Sequence, residues 1–150
     1  MRCLNLFAGL SLFSLAAPMA FAQSPIYGLD VRLQRFFTST ADANFVAGFT
    51  SIAPSGALPV FALDFDETAT TLWGINNTTN EYGTFDLTTG AWTPLGLVST
   101  TSGTPSVGAS GLTCATDGTW YMSSIVATIP RLYSGDITTG SFAEVGAMGL

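Results

Sequence analysis

The chain has 150 residues, of which 47% are hydrophobic and only 9% charged, with four basic and ten acidic side chains, no histidine and a net charge of −6. So acidic a chain excludes nucleic acid and anionic lipid as partners, since both need clustered positive charge. Without histidine, this sequence also excludes a Ser-His-Asp or Cys-His pair and a His-liganded zinc.

The first element is not structural. Arg2 supplies a minimal positive segment, Leu4 to Leu15 is an apolar core, and Pro18 precedes Ala20-Phe21-Ala22, a small-residue cleavage signature. The apolar core is shorter than the roughly 20 residues that a membrane helix needs. Residues 1–22 are therefore read as a secretory signal cleaved after Ala22, giving a secreted, periplasmic or cell-surface protein with no membrane span after signal removal. Cys3 leaves with the signal and Cys114 remains alone, so no intramolecular disulfide is available. The mature chain keeps three arginines against ten acids, a net charge of −7.

After the signal, short β-prone runs alternate with turn formers. Ile26 to Asp30, Leu33 to Thr38 and Asn44 to Ile52 come first, with no strand before Ile26. The best-defined group follows: Val60 to Phe65, Thr71 to Asn76, Glu81 to Leu87 and Ala91 to Val98. The turns between them are Asp66 to Thr70, Asn77 to Asn80 and Thr88-Thr89-Gly90. Ser110 to Thr116, Thr119 to Ile125, Arg131 to Ile137 and Phe142 to Ala147 repeat the scheme, with Asp117-Gly118 as a strong turn signal. Each group of four predicts an antiparallel meander.

The groups are copies of one pattern. Tyr27-Gly28-Leu29-Asp30 returns as Trp73-Gly74-Ile75-Asn76 and, more loosely, as Trp120-Tyr121-Met122-Ser123. Asp86-Leu87-Thr88-Thr89-Gly90 returns as Asp136-Ile137-Thr138-Thr139-Gly140, each followed by an aromatic residue, Trp92 or Phe142. A fixed period of this kind marks units that bury their apolar faces only against one another. Several strands, such as Phe61 to Phe65, are apolar on both faces, whereas a sheet with one face in water alternates. The expectation is all-β: a partial β-propeller of four-stranded antiparallel blades, about two and a half to three of them. A β-sandwich is the runner-up. The expected organisation is an incomplete blade at 23–54, a blade at 57–98 and a blade at 108–148. Because propellers close with about 4 to 8 blades, the sequence reads as C-terminally truncated. Closure by oligomerisation is the alternative.

On these residues, above all Thr71 to Asn76 through Asp86 to Gly90 and on to Gly96, the chain resembles the blades of secreted bacterial β-propellers. These are the YVTN-like and quinoprotein-like repeat group, which includes exported proteins of uncharacterised function. The resemblance covers most of residues 26–150 and implies a fold without an activity, because the shared residues are turn and packing positions.

Asp64, Asp66 and Glu67 form the one acidic cluster, and alternation places Asp64 and Asp66 on the same side of a strand end. Hard carboxylate oxygens there suit Ca²⁺, the one cofactor considered, although two carboxylates fall short of the usual 6 to 8 ligands and a solvated hairpin turn is the competing reading. Asp86 and Asp136 read as turn residues. Asn76, Asn77 and Asn80 occupy the loop between second and third strands, and the Ser99 to Ser110 linker falls on the same face. That face is where a ligand is expected, because loops on rigid scaffolds carry recognition. Trp73, Trp92 and Trp120 suit packing between blades better than sugar stacking, and Cys114 reads as a buried small hydrophobe.

No residue is assigned a catalytic or cofactor-binding role. The preferred function is a non-catalytic exported propeller module, with an extracellular ligand or surface partner. The alternative is a secreted propeller enzyme of lactonase, lyase or quinone-dependent dehydrogenase type, its active-site residues lying partly beyond residue 150.

Overall fold

A computed structural model of the chain describes residues 25–30, 32, 35–40, 50–54, 59–101, 108–126 and 129–149. The expected signal, residues 1–22, and residues 102–107 of the Ser99 to Ser110 linker lie outside the described residues. Among the described residues the regular structure is entirely β. The first sheet contains β1 (Pro25–Asp30), β2 (Arg35–Thr40) and β3 (Thr50–Pro54) in that order. The second is a four-stranded meander of β4 (Val60–Phe65), β5 (Leu72–Asn76), β6 (Glu81–Phe85) and β7 (Trp92–Leu97). The third orders β8 (Ser99–Thr100), β12 (Ser141–Ala147), β11 (Ile129–Asp136), β10 (Trp120–Val126) and β9 (Ala109–Cys114).

The turns form where the sequence supplies their chemistry. Asp86 Oδ1 accepts the N–H groups of Thr88 and Thr89 at 2.8 and 2.7 Å. Asp136 Oδ1 accepts the Thr138 N–H at 2.8 Å and its hydroxyl at 2.7 Å. Gly90 and Gly140 close these turns at φ of 70° and 67°, a left-handed conformation that costs an L side chain about 1–2 kcal/mol. Both Asp residues are thus turn residues, as their spacing predicts.

Packing decides between propeller and sandwich. Val60, Leu72 and Phe85 of the second sheet pack with Phe36 of the first, and Phe36 and Phe85 stack with centroids 5.3 Å apart. Ala62, Ile75, Tyr82 and Val98 on its other face pack with Leu112, Trp120, Met122 and Phe142 of the third sheet. The second sheet is therefore buried on both faces. A two-sheet sandwich covers only one face of each sheet, whereas successive blades cover both. Each fully buried large side chain contributes roughly 1.5–3 kcal/mol over exposure.

One irregularity gives the repeat its register. In every sheet the ladder between the last two meander strands skips a residue: between Phe36 and Phe37, between Tyr82 and Gly83, and between Leu132 and Tyr133. Aligning these bulges makes Phe36, Tyr82 and Leu132 equivalent. Because Leu29 pairs with Phe36 and Ile75 with Tyr82, Tyr27 to Asp30 matches Trp73 to Asn76, as the sequence pattern has it. The three described strands of the first sheet thus correspond to the second to fourth strands of the second sheet.

In the third sheet the looser sequence match is one residue out of register. Leu132 pairs with Ser123, so Ser123 is the counterpart of Ile75, Tyr121 of Trp73, and Trp120 of Leu72. Ladder position overrides residue type here. A second departure concerns the linker: Ser99–Thr100 is a strand, parallel to β12, that carries the chain from the second sheet onto the outer edge of the third. The Ser99 N–H donates to Gly140 O at 2.8 Å and the Thr101 N–H to Phe142 O at 3.1 Å.

Candidate functional site

The first strand of each complete sheet carries a bulge at the same place. Val60 pairs with Asn76 and Ala62 with Ile75, leaving Phe61 outside the ladder. Ala109 pairs with Ser124 and Gly111 with Ser123, leaving Ser110 outside. A bulge re-aims the side chain it frees. Phe61 is 56% exposed despite being aromatic, and Ser110 is exposed too. Between them opens a cleft of about 300 Å³ lined by Phe61, Asn77, Gly108, Ala109, Ser110 and Ile125. Ile125, 55% exposed, forms a second apolar wall, held by its N–H donating to Gly108 O at 3.0 Å.

The asparagine loop forms one side of this cleft. Asn76 is buried, and its Oδ1 accepts the N–H groups of Thr78 and Thr79 at 2.9 and 3.3 Å. Its first-sheet counterpart Asp30 accepts the Arg32 N–H at 3.0 Å in the same way. Asn77 reaches across the seam between sheets and donates from Nδ2 to Ala109 O at 2.9 Å. Asn80 adopts φ 62°, and its carbonyl accepts the Val98 N–H at 2.9 Å. Of the three expected ligand-face residues, Asn77 lines the cleft, while Asn76 and Asn80 shape the loop behind it. Val98, just before the linker, and Ala109, near its far end, each hydrogen-bond to this loop, through Asn80 O and Asn77 Nδ2 respectively. Asn77 Oδ1, Asn80 Nδ2 and Ser124 Oγ are buried without a protein partner. Buried polar atoms left so are the ones that ordered water typically serves.

The acidic cluster lies at the other ends of these first strands. Asp64 Oδ1 accepts the Phe65 N–H at 2.8 Å, and Oδ2 crosses the seam to accept the Cys114 N–H at 3.1 Å. Asp66 belongs to the hairpin turn: its Oδ1 accepts the N–H groups of Thr70 and Thr71 at 2.8 and 3.2 Å and the Thr68 hydroxyl at 3.0 Å. Partial burial opposes ionisation of Asp66, but these donors outweigh it and hold its carboxyl below the usual range. Glu67 lies beside the Cys114 thiol, Oε2 to Sγ 3.8 Å. The carboxylates expected to offer Ca²⁺ a common face thus serve a seam, a turn and a thiol. Among the described residues no group of three or more Cys, Asp or Glu side chains is arranged to hold a metal ion.

Cys114 is half-buried and packs against the core between the second and third sheets. Burial, and then the negative charge of Glu67, push its thiol above the ordinary value. The tryptophans lie where packing was expected. Trp73 packs against Trp120 across the seam, and Trp92 packs against Phe85 with centroids 5.0 Å apart. Sequence reasoning missed Phe61 and Ile125, whereas Ser110 closes the Ser99 to Ser110 stretch that was expected on the ligand face. The signal for Phe61 was present, a large aromatic in an unbroken apolar run, but only the ladder reveals that it is extruded.

No protein-family model and no curated protein matches the sequence. Among solved structures, the chain is similar to TolB from Acinetobacter baumannii, with 16% identity and a TM-score of 0.48 over 83% of this chain and 30% of that one. It is also similar to a candidate 6-phosphogluconolactonase from Bacteroides uniformis, with 14% identity and a TM-score of 0.44 over 84% of this chain and 38% of that one. The chain thus spans about a third of the length of these structures.

Proposed function

We propose that the protein is an exported β-propeller module that binds an extracellular or periplasmic ligand at the bulged ends of β4 and β9 and carries out no chemistry on it. The observation behind this reading is the pair of equivalent bulges that expose Phe61 and Ser110 on either side of one cleft. Exposing a phenylalanine gains nothing for folding, and an aromatic platform is a common anchor for a ligand with an apolar face. The polar groups lining the cleft are neutral: the Asn77 amide, the Ser110 hydroxyl and the backbone of Gly108 and Ala109. Such a lining suits a neutral ligand, an oligosaccharide or a short peptide, over a multiply charged one.

Export rests on the Arg2, Leu4 to Leu15 and Ala20-Phe21-Ala22 pattern. Material recovered outside the cytoplasm is expected to begin at Gln23, and intact Met1 there contradicts export with cleavage. Binding is tested by titrating the isotopically labelled chain with neutral oligosaccharides and short neutral peptides. The expected result is saturable shifts confined to Phe61, Asn77, Ser110 and Ile125 that Phe61→Ser abolishes. Because Phe61 is exposed, that variant keeps its fold. Unchanged binding by Phe61→Ser, or no saturable shift with any member of the panel, refutes the site.

A further inference from the structure

The cleft between the two bulges suits one small ring better than an extended chain. Its volume of about 300 Å³ lies at the lower end of the roughly 300–1,000 Å³ of ligand pockets. Its apolar walls, Phe61 and Ile125, stand on strands of different sheets, and none of its lining residues is charged. The frame is fixed from within the chain: the Asn77 N–H donates to Pro59 O at 3.1 Å, while its side chain holds Ala109 O. That bond occupies one backbone acceptor at the border, and the Ile125 N–H occupies another, Gly108 O. Further along β9 the Cys114 N–H is taken by Asp64 Oδ2. A peptide that adds as a strand draws its affinity from such edge groups, so this border offers it little to pair with. Ser110 differs. Its hydroxyl is exposed and lies 3.1 Å from the Ser123 hydroxyl. Each hydroxyl carries one proton and two lone pairs, so this pair keeps acceptor capacity for a donor from outside.

Resting on the binding reading above, we infer that the ligand is an uncharged saccharide, one ring of which lies with its C–H face on Phe61 and its hydroxyl edge toward Ser110. A sugar ring is apolar over its faces and hydroxylated around its rim. The cleft has the same division, an exposed aromatic ring on one strand and a hydroxyl beside it on the next. A wholly apolar ligand would cover the Ser110 hydroxyl without pairing it, which costs free energy. An unblocked peptide brings charged termini that no lining residue balances. Because Asn77 already fixes the two strands that carry Phe61 and Ser110, little ordering of the protein opposes binding.

Nuclear magnetic resonance titration of the full chain tests this with two sets of probes. One set is maltose, cellobiose and chitobiose, and the other is N-acetylated, C-amidated tripeptides of serine and alanine. At least one disaccharide is expected to give saturable shifts at Phe61, Ser110 and Ile125. Saturation of the phenylalanine ring protons should then pass chiefly to the ring C–H protons of the bound sugar. Phe61→Ser, at an exposed position, is expected to weaken binding at least about tenfold, whereas Phe61→Trp keeps it. Ser110→Ala should weaken it roughly 2- to 10-fold, the loss of one hydrogen bond. Saturable shifts at these residues with the blocked tripeptides and none with the disaccharides overturn the saccharide class while leaving the binding site standing. Tighter binding of cellobiouronic acid than of cellobiose overturns the uncharged character. No shift with either set, or binding that Phe61→Ser leaves unchanged, overturns the inference together with the site.

Discussion

The indole rings of Trp73 and Trp120 meet edge to face across the seam between the second and third sheets, with centroids 6.4 Å apart and planes inclined at 67°. They come from different positions of the repeat: Trp73 looks forward to the next blade, and Trp120 looks back. Edge-to-face geometry places the positive edge of one ring against the negative face of the other and contributes about 0.5–1.5 kcal/mol beyond area burial.

Truncating Trp120, which is 3% exposed, to alanine is expected to cost about 3–5 kcal/mol in urea unfolding. Trp73→Ala, at a half-buried site, should cost less. The double variant should fall short of additivity by about 0.5–1.5 kcal/mol. Strict additivity would show that the rings do not interact.

Gly140→Ala meets two obstacles. Its φ is 67°, and a Cβ there would run into the Tyr82 ring, whose hydroxyl donates to Thr138 O at 3.3 Å. The expected loss exceeds the cost, about 1–2 kcal/mol, of a simple left-handed glycine. Gly149→Ala, with nothing within 4 Å of the new carbon, should change stability by less than about 0.5 kcal/mol. Equal thermal midpoints for the two variants would contradict the packing of this turn against β6.

Three turn aspartates set an acid limit. Backbone donors hold Asp86 (Thr89 first, then Thr88) and Asp117 (Thr119) below the usual range, and Asp66 is lowered despite partial burial. A depressed folded-state pKa stabilises the fold above the unfolded value of about 3.9, and that stabilisation is lost as pH falls through the folded values. The thermal midpoint should therefore vary little from these groups above about pH 5 and drop below pH 4. Asp66→Asn should flatten part of that drop, which melting curves between pH 2.5 and 7 would reveal.

Cys114 has the opposite sign. Its thiol is pushed up by burial and then by Glu67, so the thiolate is scarce at pH 8. Alkylation by iodoacetamide should be slower than that of a free thiol, and Glu67→Gln should accelerate it several-fold. A variant rate equal to wild type would mean that the carboxylate does not act on the sulfur.

The second sheet was legible almost residue for residue, because Val60 to Phe65 is densely apolar and Asp-x-Thr-Thr-Gly specifies its own turn. The equivalence of Tyr27 and Trp73 was legible for the same reason: two aromatic–Gly pairs sit at matching points of the repeat. The position of Trp120 was not, since register follows bulges in the ladder and residue identity does not record them. Nor was Ser99–Thr100, whose hydroxyl residues read as linker until pairing with β12 makes them an edge strand. The cleft stayed hidden because only the ladder shows that Phe61 is extruded from its apolar run. For the acids, alternation puts Asp64 and Asp66 on one side, but Asp66 has already left the strand for the turn, the hairpin reading that competed with Ca²⁺.

The central claim is that successive sheets pack face to face in the register fixed by their shared bulges. Nuclear Overhauser contacts between assigned aromatic side chains test it most directly. The structure predicts cross-peaks between Trp73 and Trp120 and between Phe36 and Phe85, whose rings lie 6.4 and 5.3 Å apart centre to centre. Absence of both, in a folded chain whose ladders within each sheet are intact, would contradict it.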